Sequence, residues 1–498
     1  MLLAGVAGCA VGPNYHAPKT ATPGEFIAVP EAGGQVAAAT RAAVDLSQWW
    51  HSLNDPELDS LIDRAIRANP DIEIALTRLQ EARTQQVVLL GNALPEVAAS
   101  GAAGRGSGSD ITRAGAVPAL RAGDNKGSLD QIRQVAGFTA IWELDLFGGY
   151  RRAIEAGKYD VEAAAATRSA VLLSVVADVA RGYVDLRGLQ MRLAIIRNNI
   201  ATAEQSRDLQ QTRFDRGLTN ELDLQLAIRE LETLQSELPL LESEIKAAQY
   251  SIAVLLGQYP EDVAKELAQP GSLPNLPQGI EPGLPIDLLQ RRPDIRQAER
   301  QLAAATARIG VATADLFPRV ALNGGLGTQS GDIGAHGSHI WAFGPAVYWP
   351  LLDFGALDAL VSIADLQAHE RLIAYRRSVI DAVRDADTAI ANYDAQERRL
   401  DNLAAAMMAS ERAVSLAQQR YDRGLTDFLN VVDAERTQYS LEDQYTTAQQ
   451  SAADAFIYLY KALGGGWEQY QNVPAIRRPE PAAIAGVHRL LLGDDPQK

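Results

Sequence analysis

The 498-residue chain has one cysteine, Cys9, so no disulfide can form within it. Aromatic residues are scarce at 6%, while hydrophobic residues reach 47%, much of it alanine. Alanine-rich, aromatic-poor sequence with frequent charges suits closely packed helices. Positive charge is in deficit, and the formal net charge is −16. That balance argues against a nucleic-acid partner held through its phosphates. Apolar runs are short. The longest, around Ala170 to Ala177, stops at Asp178, so no transmembrane helix is expected. A membrane barrel stays open to this chain, because its strands are short and alternate. No Pro/Gly/Ser-rich linker cuts the chain into units of ordinary size.

Signals for catalysis are equally thin. The six histidines are scattered. His336 and His339 lie in Gly-rich sequence without a Cys or carboxylate cluster, which reads as a solvated loop rather than a metal site. Gly104-x-Gly-x-Gly lacks the lysine and the strand–turn–helix setting of a phosphate-binding loop. No Ser/His/Asp set stands out. The expectation is a non-enzyme without metal or other cofactor.

What the chain does have is a repeat. Arg213-Phe214-Asp215-Arg216-Gly217-Leu218-Thr219 returns 207 residues later as Arg420-Tyr421-Asp422-Arg423-Gly424-Leu425-Thr426. Gly217 and Gly424 suit the left-handed residue that ends a helix. Asn220 and Asp427 suit the N-cap of the next one. Each copy therefore reads as the tip of a helical hairpin. Trp142…Phe147-Gly148 and Trp349…Phe354-Gly355 keep the same offset, as do Leu256-Gly257 and Leu463-Gly464. Asn69-Pro70-Asp71-Ile72 and Arg292-Pro293-Asp294-Ile295 are 223 apart, as are Leu94-Pro95 and Phe317-Pro318. The 16 extra residues fall in a Gly-rich loop within 101–127 of the first half. The chain is a duplication with one loop lengthened.

Gly148 to Arg216 and Leu357 to Arg423 read as uninterrupted helices, each roughly 100 Å long at 1.5 Å per residue. A 3–4 spacing runs through Leu400, Leu403, Met407, Ser410, Val414, Ala417 and Tyr421, and through Leu193, Ile196, Ile200, Ala203, Arg207, Gln210 and Phe214. That is a coiled-coil seam. Ile132 to Asp145 and Ile340 to Pro350 alternate instead. Phe138, Ala140, Trp142 and Leu144 share one side, as do Trp341, Phe343, Val347 and Trp349. Val97 to Arg105 and Val320 to Thr328 are weaker strands. Four strands cannot close a barrel in lipid, since open edges leave backbone groups unpaired. Several chains must then share one.

Met1 to Gly8 is a short apolar run ending in small residues before Cys9, as at a bacterial lipoprotein processing site. Cys9 is expected to carry a diacylglycerol and an N-acyl chain. The division that follows is a signal remnant at 1–8, a lipidated tether at 9–52, repeats at 53–264 and 265–466, and a tail at 467–498 without a core role. Beyond the second tip, Leu429, Asp433 and Arg436 share a helix face. The first half has Leu222, Leu226 and Arg229 there, so the acid is peculiar to the second hairpin. It is either one member of a solvated i, i+3 pair or, in a ring of identical chains, part of a circle of like charges that closes a pore.

Together, Cys9 with Val11-Gly12-Pro13-Asn14-Tyr15, Trp142-Glu143-Leu144-Asp145-Leu146-Phe147-Gly148, the paired tips, and Arg291-Arg292-Pro293-Asp294-Ile295 resemble the TolC/OprM outer-membrane factor family, in its lipoprotein efflux branch. The resemblance implies a mainly α homotrimer with a small β part. Long hairpins would form a periplasmic α-barrel, and four strands per chain a shared twelve-stranded membrane β-barrel. It implies an outer-membrane, lipid-anchored channel of a Gram-negative bacterium that passively conducts small molecules such as drugs or metal ions. The partners implied are a periplasmic adaptor and an inner-membrane resistance–nodulation–division pump. Leu429, Asp433 and Arg436 would form the periplasmic gate. Phe214, Arg216, Gly217, Thr219, Tyr421, Arg423, Gly424 and Thr426 would meet the adaptor. The competing expectations are a type I protein-secretion channel and a periplasmic coiled-coil structural or adaptor lipoprotein.

Overall fold

The computed structural model describes residues 10–21, 23–28, 45–106, 131–277, 285–330 and 338–470. Cys9, most of the Gly-rich loop, His336 and the tail from 471 lie outside them. Two helical hairpins dominate. The first pairs α3 (Gly149–Asp215) with α4 (Glu221–Leu255), and the second pairs α8 (Ala356–Asp422) with α9 (Phe428–Ala462). The long arms have 67 residues each and the short arms 35, so the duplication holds to the residue. α1 (Pro56–Ala68) and α2 (Pro70–Asn92) precede the first hairpin, α5 (Pro260–Glu266) and α6 (Leu288–Arg291) follow it, and α7 (Pro293–Ala314) matches α2. Their starts are capped as the sequence suggests. Asp55 accepts from the N–H groups of Glu57 and Leu58, and Asn69 from those of Asp71 and Ile72, each with proline at the first helical position.

β1 (Glu96–Gly106), β2 (Gln131–Leu144), β3 (Arg319–Ser330) and β4 (Ser338–Tyr348) form one antiparallel sheet in chain order. Its register explains the alternation. Ala99, Phe138, Leu326 and Trp341 make one row across the sheet, and Val97, Ala140, Gly324 and Phe343 the next. All share one face and form an apolar surface, with Trp341 80% exposed in the single chain. The opposite face carries mostly small and polar residues, including Thr139, Gly325 and Ala342 in one row, with Ile141 and Ile340 among the exceptions. Lipid outside and water inside is the pattern of a membrane barrel wall. Pro345 falls on β4, at the edge of the single chain's sheet. Trp142 and Trp349 donate to equivalent carbonyls, of Ala93 at 3.1 Å and of Leu316 at 3.2 Å. His339, weighed above with His336, lies in β4 opposite Thr328.

The main core sits where the hairpins' roots meet α1. Leu58, Leu61, Ile62, Val176, Val179, Tyr183, Phe456 and Tyr460 are buried there. The apolar stretch of α3 packs into this core, which is why a long apolar helix here is no membrane span. Two boundaries from the sequence move. The tether ends before residue 52, because Leu46–Leu53 folds into a 3-10 helix that buries Trp49, Trp50 and Leu53. Trp49 stacks on Tyr460 with ring centres 5.7 Å apart. The core also extends past residue 466, because Trp467 is buried and its indole donates to the carbonyls of Arg291 and Gly464. Burying each such ring contributes roughly 1.5–3 kcal/mol, enough to fold flanking polar sequence onto the core.

The described tether is docked rather than loose. Val11 donates to the Phe147 carbonyl at 3.0 Å. Buried Arg152 donates to the carbonyls of Val11 (3.0 Å) and Gly12 (3.2 Å) and to the Asn14 side chain (2.7 Å). The Tyr15 hydroxyl reaches Glu299 at 2.8 Å. Gly148, at φ 84°, must be glycine for a second reason. A Cβ there would stand 2.6 Å from the Ala10 Cα.

Candidate functional site

The far end of the molecule is built from the two repeat tips. In each, the last turn closes by the same two bonds. Gly217 N–H donates to Phe214 O and Leu218 N–H to Arg213 O, both at 2.8 Å. Gly424 and Leu425 do the same to Tyr421 and Arg420 at 2.9 Å. Both glycines are left-handed, at φ 68° and 70°, with open space where a side chain would go. Backbone conformation alone requires them. The caps differ. Asn220 accepts from the Asp223 N–H, whereas Asp427 occupies its N-cap position without a side-chain bond. The Thr219 hydroxyl donates to Asp223 at 2.5 Å.

The tips also differ in what they expose. Phe214, Arg216, Leu218, Arg423 and Leu425 face outward. Tyr421 is drawn inward instead and is half-buried, as are Thr219 and Thr426. Its hydroxyl donates to the buried Gln210 at 3.1 Å, the Arg213 guanidinium lies 4.9 Å from its ring centre, and Phe428 packs against it. Gln210, which the seam pattern marks as a weak point, is thus a link between hairpins. Below it, Phe428, Val431 and Val432 of α9 bury against Ala227 of α4.

This packing decides how α9 is oriented. Val431, Val432 and Glu435 face the first hairpin, while Leu429, Asp433 and Arg436 remain exposed on the other side. Leu429 is 54% exposed despite being apolar. Among the described residues, Asp433 and Arg436 form no ion pair with each other, unlike several i, i+4 pairs elsewhere in the chain. The three residues are presented together to whatever lies beyond this chain.

With a lipid-type sheet at one end and long hairpins at the other, the comparisons are decisive. The model of the family described as outer membrane efflux protein matches residues 61–258 and 284–465. The chain belongs to the outer membrane efflux protein family. Outer membrane protein OprJ of Pseudomonas aeruginosa is 30% identical over 472 residues, 94% of this chain and 95% of that one. Toluene efflux pump outer membrane protein TtgI of Pseudomonas putida is 30% identical over 471 residues, 94% and 97% of the two chains. The solved outer-membrane channel OprN superposes with a TM-score of 0.81 at 35% identity, covering 92% of this chain and 100% of that one. The efflux protein is therefore an outer-membrane channel with a periplasmic tunnel, a passive conduit and no enzyme. Its architecture is the trimeric α-barrel with a shared β-barrel, which pairs the open edges of β1 and β4.

The channel's hairpins meet along a polar seam that sequence reading missed. Arg192 pairs with Asp443 at 2.5 Å, Asn199 donates to Glu442 at 3.1 Å, and Gln450 donates to Asp185 at 2.6 Å. Two places on this seam carry surplus acid. Asp454 of α9 is pushed up to about 7 by burial and then by Asp185, against the opposing charge of Arg181 at 3.9 Å. Nearer the tip, Glu435 and Glu230 are 5% and 8% exposed and face each other across α9 and α4. Burial raises both carboxyls first. Each then feels other charges: Glu435 the charge of Glu230, and Glu230 the opposing charges of Arg436 and Arg229. The signal was available. Phe428, Val432, Glu435 and Tyr439 keep a 3–4 spacing, which puts the glutamate on the buried stripe.

Proposed function

We propose that three copies of this chain form the outer-membrane exit of a tripartite efflux system. Small molecules would pass through it from a periplasmic adaptor and an inner-membrane pump of the resistance–nodulation–division type. The observation that carries this reading is the orientation of α9. Burial of Val431, Val432 and Glu435 leaves Leu429, Asp433 and Arg436 exposed, and in a trimer they would form an apolar collar and a charged ring. The exposed residues Phe214, Arg216 and Arg423, with half-buried Thr219 and Thr426 beside them on glycine-closed tips, would be the adaptor's contact. Conduction is passive, and opening swings α8 and α9 away from α3 and α4. The test is export in cells. Removing the protein should raise accumulation of a fluorescent pump substrate, and re-expression should restore efflux. Accumulation unchanged by its removal contradicts the role.

Anchoring at Cys9 belongs to the same proposal. Ala10 is fixed against Gly148, and Val11 against Phe147, at the level where β2 gives way to α3. The chain is therefore tied at the membrane boundary one residue after the cysteine. Three acyl chains there would be a stable anchor, whereas one alone is marginal. Mass spectrometry of the mature protein should show a triacylated N-terminal cysteine, lost in Cys9→Ser. An unmodified Cys9 thiol in protein purified from the outer membrane contradicts the anchor.

A further inference from the structure

We propose that the start of α8, with the loop before it, docks on the end of α2 of the neighbouring protomer, in the register that α3 and α7 show within one chain. The two halves are copies. A contact from the first half to the second therefore has a counterpart from the second half to the first half of the next chain. β2 pairs with β3 inside the chain, and the counterpart joins β4 to β1 across the open edges. The helices lack their counterpart in the same way. Among the described residues α3 packs on both α2 and α7, whereas α8 packs on α7 and on no second helix of that kind. α7 likewise lies between α3 and α8, whereas α2 lies against α3 with its other side open.

The open faces fit each other residue by residue. The offsets of 207 and 223 carry α3 onto α8 and α7 onto α2. Within the chain Gly149 closes on Ala314, and a Cβ on the glycine would stand 3.2 Å from the alanine methyl. The counterpart is Ala356 against Gly91, where methyl and hydrogen change places, and Gly91 has open space in the single chain. The Arg152 side chain covers Gly310, where a Cβ would meet its Cγ at 2.7 Å. The counterpart is Ala359 against Val87, again large against small with the sides exchanged. Arg308 pairs with Asp160, and the counterpart sets Gln85 against Gln367, both uncharged and able to hydrogen-bond. In each place a change on one side is matched on the other, as close packing requires. The faces are also apolar where the single chain leaves them bare. Leu360 and Ile363 of α8 and Val88 of α2 are exposed, although Ala156, the counterpart of Ile363, is buried. Phe354, in the loop before α8, is 91% exposed and left-handed at φ 54°, a conformation that an aromatic residue keeps only where its surroundings hold it. Its counterpart Phe147 stacks on Phe317 with ring centres 4.6 Å apart. Leu94, the exposed counterpart of Phe317, supplies that surface from the next protomer. Lipid over the loop would need none of the matched exchanges on the helices.

The experiment is disulfide trapping in the outer membrane with Gly91→Cys/Ala356→Cys. A Cβ separation like the 3.2 Å at Gly149 and Ala314 is close to what a disulfide spans. Under mild oxidant the double variant should run as a covalent trimer on a non-reducing gel and return to monomer with thiol reductant, and neither single variant should. Leu90→Cys/Ala356→Cys is turned about 100° around α2 and should cross-link far less. The inference rests on the trimer, and the mass in detergent separates the two. A mass below three chains overturns trimer and docking together. A trimer that Gly91→Cys/Ala356→Cys fails to lock overturns the docking alone, as does equal cross-linking by the Leu90 pair. Phe354→Ser should lower the temperature at which the trimer dissociates, and a midpoint equal to wild type would place the loop in lipid and overturn its part in the interface.

Discussion

Openings of the channel are expected to become more frequent as pH rises from about 5 to about 8, and Glu435→Gln/Asp454→Asn should abolish most of that response. The sign follows from the seam. A carboxyl whose pKa is raised in one arrangement stabilises that arrangement while protonated, and the stabilisation is lost as pH rises through the raised value. Asp454, at about 7 in the packed seam, should return toward the ordinary range once α9 separates and water reaches it. Ionising it against Asp185 thus works against the packed state, by an amount on the order of a few kcal/mol. Glu435 and Glu230 add in the same direction. The groups that face them and oppose the effect are Arg181 of α3, Arg229 of α4, and Arg436 of α9 itself; Gln418 of α8 supplies a neutral donor. The amide variants keep shape and remove charge, so they should stay at the low-pH level throughout. A variant whose opening still rises with the wild-type midpoint would sink the seam as the sensor.

Cells carrying Asp433→Ala/Arg436→Ala should become sensitive to large antibiotics that the outer membrane normally excludes. Magnitudes decide why both residues must go. Like charges about 6 Å apart in water repel by less than ~1 kcal/mol, so an aspartate ring alone is a weak barrier. Exposed Asp–Arg pairs between protomers contribute ~0.5–1 kcal/mol each. Three related by symmetry shift the open population by roughly tenfold to a hundredfold. Inhibitory concentrations of such an antibiotic should fall by a similar factor. Sensitivity equal to wild type, at equal protein level in the outer membrane, would show that these residues do not hold the pore shut.

Most of the architecture was legible because the chain states it twice. The left-handed glycines, the proline starts and the sheet alternation each follow from local backbone chemistry, and the matching offsets tie them into two copies. Phe138, Trp142, Trp341 and Phe343 could be assigned to one face from spacing alone. Contacts between the copies were hidden. Nothing local to Gln210 or Tyr421 announces that they meet 211 residues apart. The two tips read alike as sequence, yet Tyr421 turns inward and Phe214 outward, because only Tyr421 has Phe428 beside it. Trp49, Trp50 and Trp467 read as tether and tail in sequence because their flanking residues are polar and irregular. Burial of three large rings outweighs that context. The face shared by Leu429, Asp433 and Arg436, proposed as the gate, is visible from spacing, but its outward direction follows only from the packing of Val431 and Val432.

The central claim is that this chain forms a trimeric conduit closed at the second tip. Its most direct test is single-channel conductance of the detergent-purified protein in a planar bilayer, wild type beside Asp433→Ala/Arg436→Ala. Small or rare openings are expected for wild type and large, sustained ones for the variant. No conductance from either protein, with a monomeric mass, would contradict the conduit itself. Equal conductance from both would leave the conduit standing and contradict the gate.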